Sequence, residues 1–181
     1  MAGTPASWPL RATAGHVKRV FLHPGEVHFD DGEAQLHTVL GSCVAITLWH
    51  PGRRIGGMCH YVLPVRVGTR LGPLDGRYAD EAMEMLVAAA QARDTAIGEY
   101  QAKIFGGADV LALTSSTNET VGERNVAAAL RLLDHHRVPL LVAHVGESGH
   151  RRIFLDVASG DVWVRHQLGS GERPPTINGR M

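Results

Sequence analysis

From residue 17 onward the chain runs first in short stretches where apolar and polar side chains alternate. That period of two marks strands with one buried face. It predicts strands at Val17–Leu22, Ala34–Leu40, Val44–Trp49 and Ile55–Leu63. The period then lengthens. Ala82, Met83, Leu86, Val87 and Ala90 recur at helical spacing and predict a helix from Tyr78 to Arg93. A short strand, Ala102–Phe105, runs into Gly106-Gly107. A second helix, Gly122–His135, carries Val126, Ala127, Leu130 and Leu133 on one face. Strands return at Val138–Val145, Arg152–Val157 and Asp161–His166, the last two joined by the turn signal Ala158-Ser159-Gly160. A run of strands followed by interspersed helices and strands predicts an α+β fold rather than a strict βαβ series.

The ends lack this patterning. Residues 1–16 and 169–181 are rich in Gly, Pro, Ser and Thr and read as a flexible leader and a flexible tail around a single domain, residues 17–168. A chain of 181 residues with 44% hydrophobic content suits one globular domain. No apolar run is long enough to span a bilayer, and the start lacks a secretory signal pattern, so no membrane insertion and a cytoplasmic location are expected. Eighteen basic residues balance eighteen acidic ones. That excludes a dominant electrostatic grip on nucleic acid or anionic lipid. The pairs Arg53-Arg54 and Arg151-Arg152 are read as solvated surface charge. Trp49 and Trp163 are read as packing residues.

Two cysteines, Cys43 and Cys59, are too few for a Cys-rich zinc site, and reducing cytosol disfavours a disulfide between them. Their placement separates them. Pro51-Gly52 is a turn signal between Val44–Trp49 and Ile55–Leu63. A hairpin symmetric about that dipeptide pairs Leu48 with Ile55, Ile46 with Gly57 and Val44 with Cys59 on an apolar face. Its other face pairs Ala45 with Met58 and Cys43 with His60. Directly opposed side chains have Cβ atoms about 4.5–5.5 Å apart, within reach of a thiol–imidazole hydrogen bond. A bulge would break this register, and Gly56-Gly57 is a place for one. Cys59 falls on the packing face. Gly41-Ser42 ahead of Cys43 allows an unusual backbone approach to the sulfur, and an imidazole beside a thiol favours the reactive thiolate.

Other glycine-bearing segments carry two readings each. Phe105-Gly106-Gly107-Ala108 lines a cleft or makes a tight connection. Gly122-Glu123-Arg124-Asn125 starts a helix in the ordinary way or binds an anion there, the former favoured.

Leu40-Gly41-Ser42-Cys43-Val44, Gly56-Gly57-Met58 through His60, Leu63-Pro64, Tyr78-Ala79-Asp80, Lys103 through Ala108, Val121 through Asn125 and Gly146–Arg152 together resemble the signature of the CheD family, the chemoreceptor glutamine deamidases. The resemblance spans roughly residues 17 to 166 in family order. It implies packed mixed β-sheets flanked by helices, a layered fold like that of deamidating toxins. It implies deamidation of protein glutamines with Cys43 and His60 as catalytic pair and no cofactor or metal. Backbone near Gly41, Ser42, Gly106 and Gly107 is the candidate oxyanion and substrate-loop region. Its implied partners are chemoreceptor cytoplasmic domains as substrate and the CheC phosphatase as regulator, with a monomer as default. The family's third catalytic member is a threonine upstream of the cysteine; here His37 and Thr38 stand side by side in that region, and either fills the role. The family's double glycine before its Gly-Arg pair reads Gly146-Glu147 here. Rival readings are a non-catalytic adaptor binding receptor or CheC, a histidine-rich metal-binding protein, and a cysteine hydrolase acting on another amide.

Overall fold

The computed structural model describes residues 17–109, 119–168 and 179–180. The expected leader, residues 1–16, lies outside the described residues. So does the expected tail, apart from Leu168 before it and the two-residue strand at 179–180. Asn118, read as loop, also lies outside them.

The described chain folds into strands β1 (Lys18–Phe21), β2 (Val27–Asp30), β3 (Ala34–Leu40), β4 (Val44–His50) and β5 (Ile55–Tyr61), then helix α1 (Ala79–Gln91), strand β6 (Gln101–Gly106) and helix α2 (Val121–His135). Strands β7 (Leu140–Val145), β8 (His150–Asp156), β9 (Val162–Gln167) and β10 (Gly179–Arg180) complete it. They build two sheets, in the orders β1-β3-β8-β9-β10 and β2-β5-β4-β6-β7. Each is mixed: β1 lies parallel to β3 and β6 parallel to β7, while the other pairs are antiparallel. The fold is thus α+β, as the sequence pattern predicts. Strand β2 alternates Val27-His28-Phe29-Asp30 over only four residues, too short to announce itself, and pairs with the edge of β5.

The strand period sorts the core into two layers. Val44, Ile46 and Leu48 of β4 face Ala82, Met83 and Leu86 of α1 and Ala128, Ala129 and Leu133 of α2. The alternate residue Ala45 faces the other sheet, where it joins Leu36, Leu40, Met58, Phe105, Ile153 and Leu155. Each fully buried aliphatic or aromatic side chain contributes roughly 1.5–3 kcal/mol. The order is therefore helices, sheet, sheet. Helix α2 begins with a reciprocal cap: the Thr120 hydroxyl accepts from the Glu123 amide at 3.2 Å and the Glu123 carboxylate accepts from the Thr120 amide at 2.7 Å. Among the described residues no helix is long and apolar enough to cross a membrane.

The β4–β5 hairpin departs from the expected register. His50 pairs with Ile55, so the loop is the four residues 51–54, with Arg54 in a left-handed conformation at φ 53°. His60 consequently opposes Ala45, not Cys43, and Cys59 opposes Ile46. The slip is two residues, so each side chain keeps its predicted face. Gly56 and Gly57 form no bulge. They pair regularly with Trp49 and Leu48, and on the other side with Asp30 and Phe29. A Cβ on Gly57 would stand 2.6 Å from the Phe29 ring, which is why β2 can lie so close.

Candidate active site

Thr38 and His60 meet where the two sheets face each other, and Cys43 stands in the same layer. Thr38 projects from β3 into the inter-sheet layer, beside Leu36 and Leu40. His60 projects from β5 of the opposite sheet and is 2% exposed. The Thr38 hydroxyl donates to the Leu22 carbonyl at 2.7 Å and lies 2.8 Å from His60 Nδ1. A hydroxyl has one hydrogen, and Leu22 takes it. Nδ1–H of His60 must therefore donate to Thr38 Oγ1. That leaves Nε2 as the ring nitrogen with the lone pair, and it is buried with no hydrogen-bond partner among the described residues. Burial, the largest influence, holds the His60 pKa below its ordinary value; the Leu22 carbonyl works the other way. The His60 backbone is strapped by the turn after β1: Gly25 N–H donates to the His60 carbonyl at 2.7 Å and His60 N–H to the Glu26 carbonyl at 3.0 Å.

Cys43 stands just ahead of β4, half-buried, on the face that packs against Ala45, Met58 and Phe105. It is diagonal to His60 across the β4–β5 pair, a relation that spaces Cα atoms by about 7–8 Å and side chains by somewhat less. Burial raises the Cys43 thiol pKa, partly offset by its own backbone amide. Burial thus disfavours the charged form of both groups. Cys59 lies on the opposite face among the helix-facing core residues, its thiol pushed up to about 12 by full burial.

The turn carrying Cys43 is held from behind through three consecutive carbonyls. Ala108 N–H donates to Gly41 O at 2.8 Å, Asn125 Nδ2 to Ser42 O at 3.0 Å, and Gly107 N–H to Cys43 O at 2.8 Å. Both glycines of the Gly106-Gly107 pair have positive φ, 106° and 62°. A Cβ on Gly106 would sit 2.1 Å from the Cys43 carbonyl oxygen. The segment is therefore a tight connection pressed against the backbone of Cys43. The α2 N-terminus is closed by its own cap and packed onto Gly107, since a Cβ on Gly122 would lie 2.5 Å from Gly107 O. Ordinary helix-start chemistry accounts for it.

His37 points to the other face of β3. Its ring meets Phe21 and Phe154 edge-on, with centroids 5.2 and 5.6 Å away. Of the two adjacent candidates, Thr38 is the one the fold brings to His60. Trp49 packs as expected, donating its indole N–H to the Val157 carbonyl at 2.8 Å. Trp163 packs against Phe154. Arg151 contradicts its expectation: it is 0% exposed, because β8 turns it inward with Ile153 and Leu155, while Arg152 faces solvent.

Asn125 is the site residue that sequence reasoning passed over. It is fully buried on α2, and its amide bridges Ser42 O and Val62 O, the second at 2.8 Å, so it ties the turn before Cys43 to the strand end after His60. Its own backbone carbonyl accepts the Tyr61 hydroxyl at 2.7 Å. The available signal was an asparagine, a poor helix former, on the inward face of a helix.

A two-sheet α+β layer fold with a thiol, a tautomer-fixed imidazole and a hydroxyl behind it defines a class of chain with cysteine, histidine and threonine gathered at one seam. Comparison with known proteins makes the assignment sharper. Residues 62–166 match the family model described as CheD chemotactic sensory transduction. The chain is 46% identical over 161 residues to the probable chemoreceptor glutamine deamidase CheD 3 of Dechloromonas aromatica, covering 89% of this chain and 95% of that one. It is 51% identical over 153 residues to the probable chemoreceptor glutamine deamidase CheD of Pseudomonas savastanoi pv. phaseolicola, covering 83% and 86%. Among solved structures, that of the Bacillus licheniformis hypothetical protein YfiH superposes with a TM-score of 0.45 at 14% identity, over 67% of this chain and 51% of that one. The chain belongs to the CheD family of chemotaxis proteins. The family-model match begins just beyond Cys43 and His60.

Proposed function

We propose that the protein deamidates glutamine side chains of chemoreceptors, with Cys43 as nucleophile, His60 as base and Thr38 as the group that orients His60. The relatives named above support the substrate class. The observation that carries the mechanism is the hydrogen-bond chain Leu22 O, Thr38 Oγ1, His60 Nδ1, which leaves the Nε2 lone pair on the ring edge away from Thr38.

Cys43 Sγ passes its proton to His60 Nε2 as the glutamine enters and the diagonal pair closes to hydrogen-bond distance, as catalytic contacts do when substrate binds. The thiolate attacks the side-chain amide carbon. The carbonyls of Gly41, Ser42 and Cys43 are each tied backwards, so the turn is fixed and its amides near Ser42 and Cys43 serve the tetrahedral oxyanion. The His60 imidazolium returns its proton to the departing nitrogen and ammonia leaves. Water, deprotonated by His60, then hydrolyses the thioester to glutamate and regenerates the thiol. No metal or organic cofactor enters these steps. The CheC phosphatase is the proposed regulatory partner, and the proposed setting is a cytoplasmic monomer.

A second reading is that the chain is an adaptor that binds receptor or CheC without turning over, which the upward push of burial on the Cys43 thiol favours. Mass spectrometry of a receptor cytoplasmic fragment incubated with wild type and with Cys43→Ala separates the two. A gain of about one mass unit per glutamine, present only with wild type, supports deamidation. Binding without any mass change supports the adaptor.

A further inference from the structure

A second polar cluster lies in the same inter-sheet layer. The loop between β7 and β8 runs Gly146-Glu147-Ser148-Gly149, and Glu147 adopts φ 59°, a left-handed conformation that a residue with a side chain rarely takes. Its carboxylate caps Arg151 and His166: Oε2 lies 3.3 Å from Arg151 Nη2 and 3.2 Å from His166 Nδ1. Arg151 is fully buried, and its Nε donates to His144 Nδ1 at 2.8 Å. A buried guanidinium needs a compensating anion, and Glu147 is the carboxylate on it. The cost of the left-handed backbone is thus offset by what the side chain holds.

His166 is held against the same loop: its Nε2 donates to the Ser148 carbonyl at 2.8 Å, and its Nδ1 lies beside the Glu147 carboxylate. Arg151 on the neighbouring strand and His144 on β7, whose ring centroid is 5.7 Å away, pack around it.

The loop also backs the site. Gly146 N–H donates to Gly106 O at 3.0 Å, and Glu147 O accepts from Asp109 N–H at 2.8 Å. Residues 106–109 are the segment whose amides hold Gly41 O and Cys43 O. Two hydrogen-bonded steps therefore join Glu147 to the Cys43 turn.

We propose that Glu147 is a positioning residue for the reaction: held on Arg151 and His166, it fixes the loop that backs the Cys43 turn. This rests on the reading of Cys43 as nucleophile.

The test compares wild type, Glu147→Gln and Glu147→Asp in the full chain. Cys43 alkylation by iodoacetamide and turnover of a receptor fragment are followed, with melting temperature as the folding check. Glu147→Gln lowers both the alkylation rate and kcat about tenfold, with KM unchanged, the size expected of a small misplacement of a reacting group. Glu147→Asp recovers part of the loss. A wild-type to Glu147→Gln ratio of one, or a loss confined to KM, overturns the proposal. Were wild type to leave every receptor glutamine intact, the deamidase reading would fall, while the alkylation ratio would still decide the role of Glu147.

Discussion

Thr38 and His60 belong to different sheets and are joined by a 2.8 Å hydrogen bond across the layer between them. This one contact sets which imidazole nitrogen carries the proton. Thr38→Val keeps the shape and removes the hydroxyl. We expect turnover to fall about 10- to 100-fold, a fraction of what a full acid–base group supplies. The stability loss is about 1–3 kcal/mol, because Leu22 O and His60 Nδ1 lose the Thr38 hydroxyl in a buried place and keep only each other, 3.4 Å apart. Thr38→Ser keeps the hydroxyl and retains most activity. Steady-state rates and denaturant melts of the three proteins check this.

Cys43→Ala abolishes ammonia release and leaves the melting temperature close to wild type, since the residue is only half-buried. His60→Ala lowers kcat about 10²–10⁴-fold. Cys59→Ala leaves kcat near wild type, because Cys59 faces the helices, and lowers stability instead. A Cys59→Ala enzyme that lost activity while staying folded would mean the two cysteines had been assigned the wrong way round.

Burial holds His60 and His144 below their ordinary pKa of 6.5. The unfolded chain therefore binds more protons than the folded one on the acid side of 6.5. Their contribution to stability is full above 6.5 and is lost as pH falls from there through the folded-state values. Urea melts at about pH 7.5 and about pH 5.5 should show lower stability at the acid value, and His60→Gln should lessen that slope.

Asn125→Leu removes the donor to Ser42 O and Val62 O while keeping an inward apolar helix face. Each orphaned carbonyl costs about 1–3 kcal/mol. Because one of them belongs to the residue before Cys43, the rate of Cys43 alkylation should fall as well. Equal alkylation rates in variant and wild type at matched folding would show that Asn125 stabilises the fold without shaping the site.

Gly106→Ala places a methyl 2.1 Å from the Cys43 carbonyl and forces φ 106° on a residue with a side chain. We expect loss of both stability and activity. Gly98→Ala is the control, since its new Cβ meets only Arg137 O at 3.8 Å. Melting temperature and turnover of the pair check the contrast.

Both helices and the strands other than β2 and β10 were legible because period-two and helical patterns are local properties. Strand β3 falls on its predicted span, Ala34–Leu40. The face of Cys43 and His60 was legible for the same reason, since a slip of two residues preserves parity. Their diagonal offset was not, because the loop length depends on Arg54 accepting a left-handed backbone, which no pattern announces. The choice between His37 and Thr38 was illegible from the residues alone. It depends on which face of β3 meets the second sheet, and that is a long-range fact. Arg151 was misread for a related reason: an arginine in a strand looks solvated until Glu147 and His144 are seen to receive it.

The seam between the sheets has a consequence for the protein's life before it is fully folded. Neither sheet alone contains both the imidazole and the hydroxyl that sets its tautomer. A molecule whose sheets have parted carries a thiol with no oriented acceptor for its proton. On the proposed mechanism, full chemical competence requires the two sheets to be docked, so chains whose sheets have parted act more slowly on the glutamines around them.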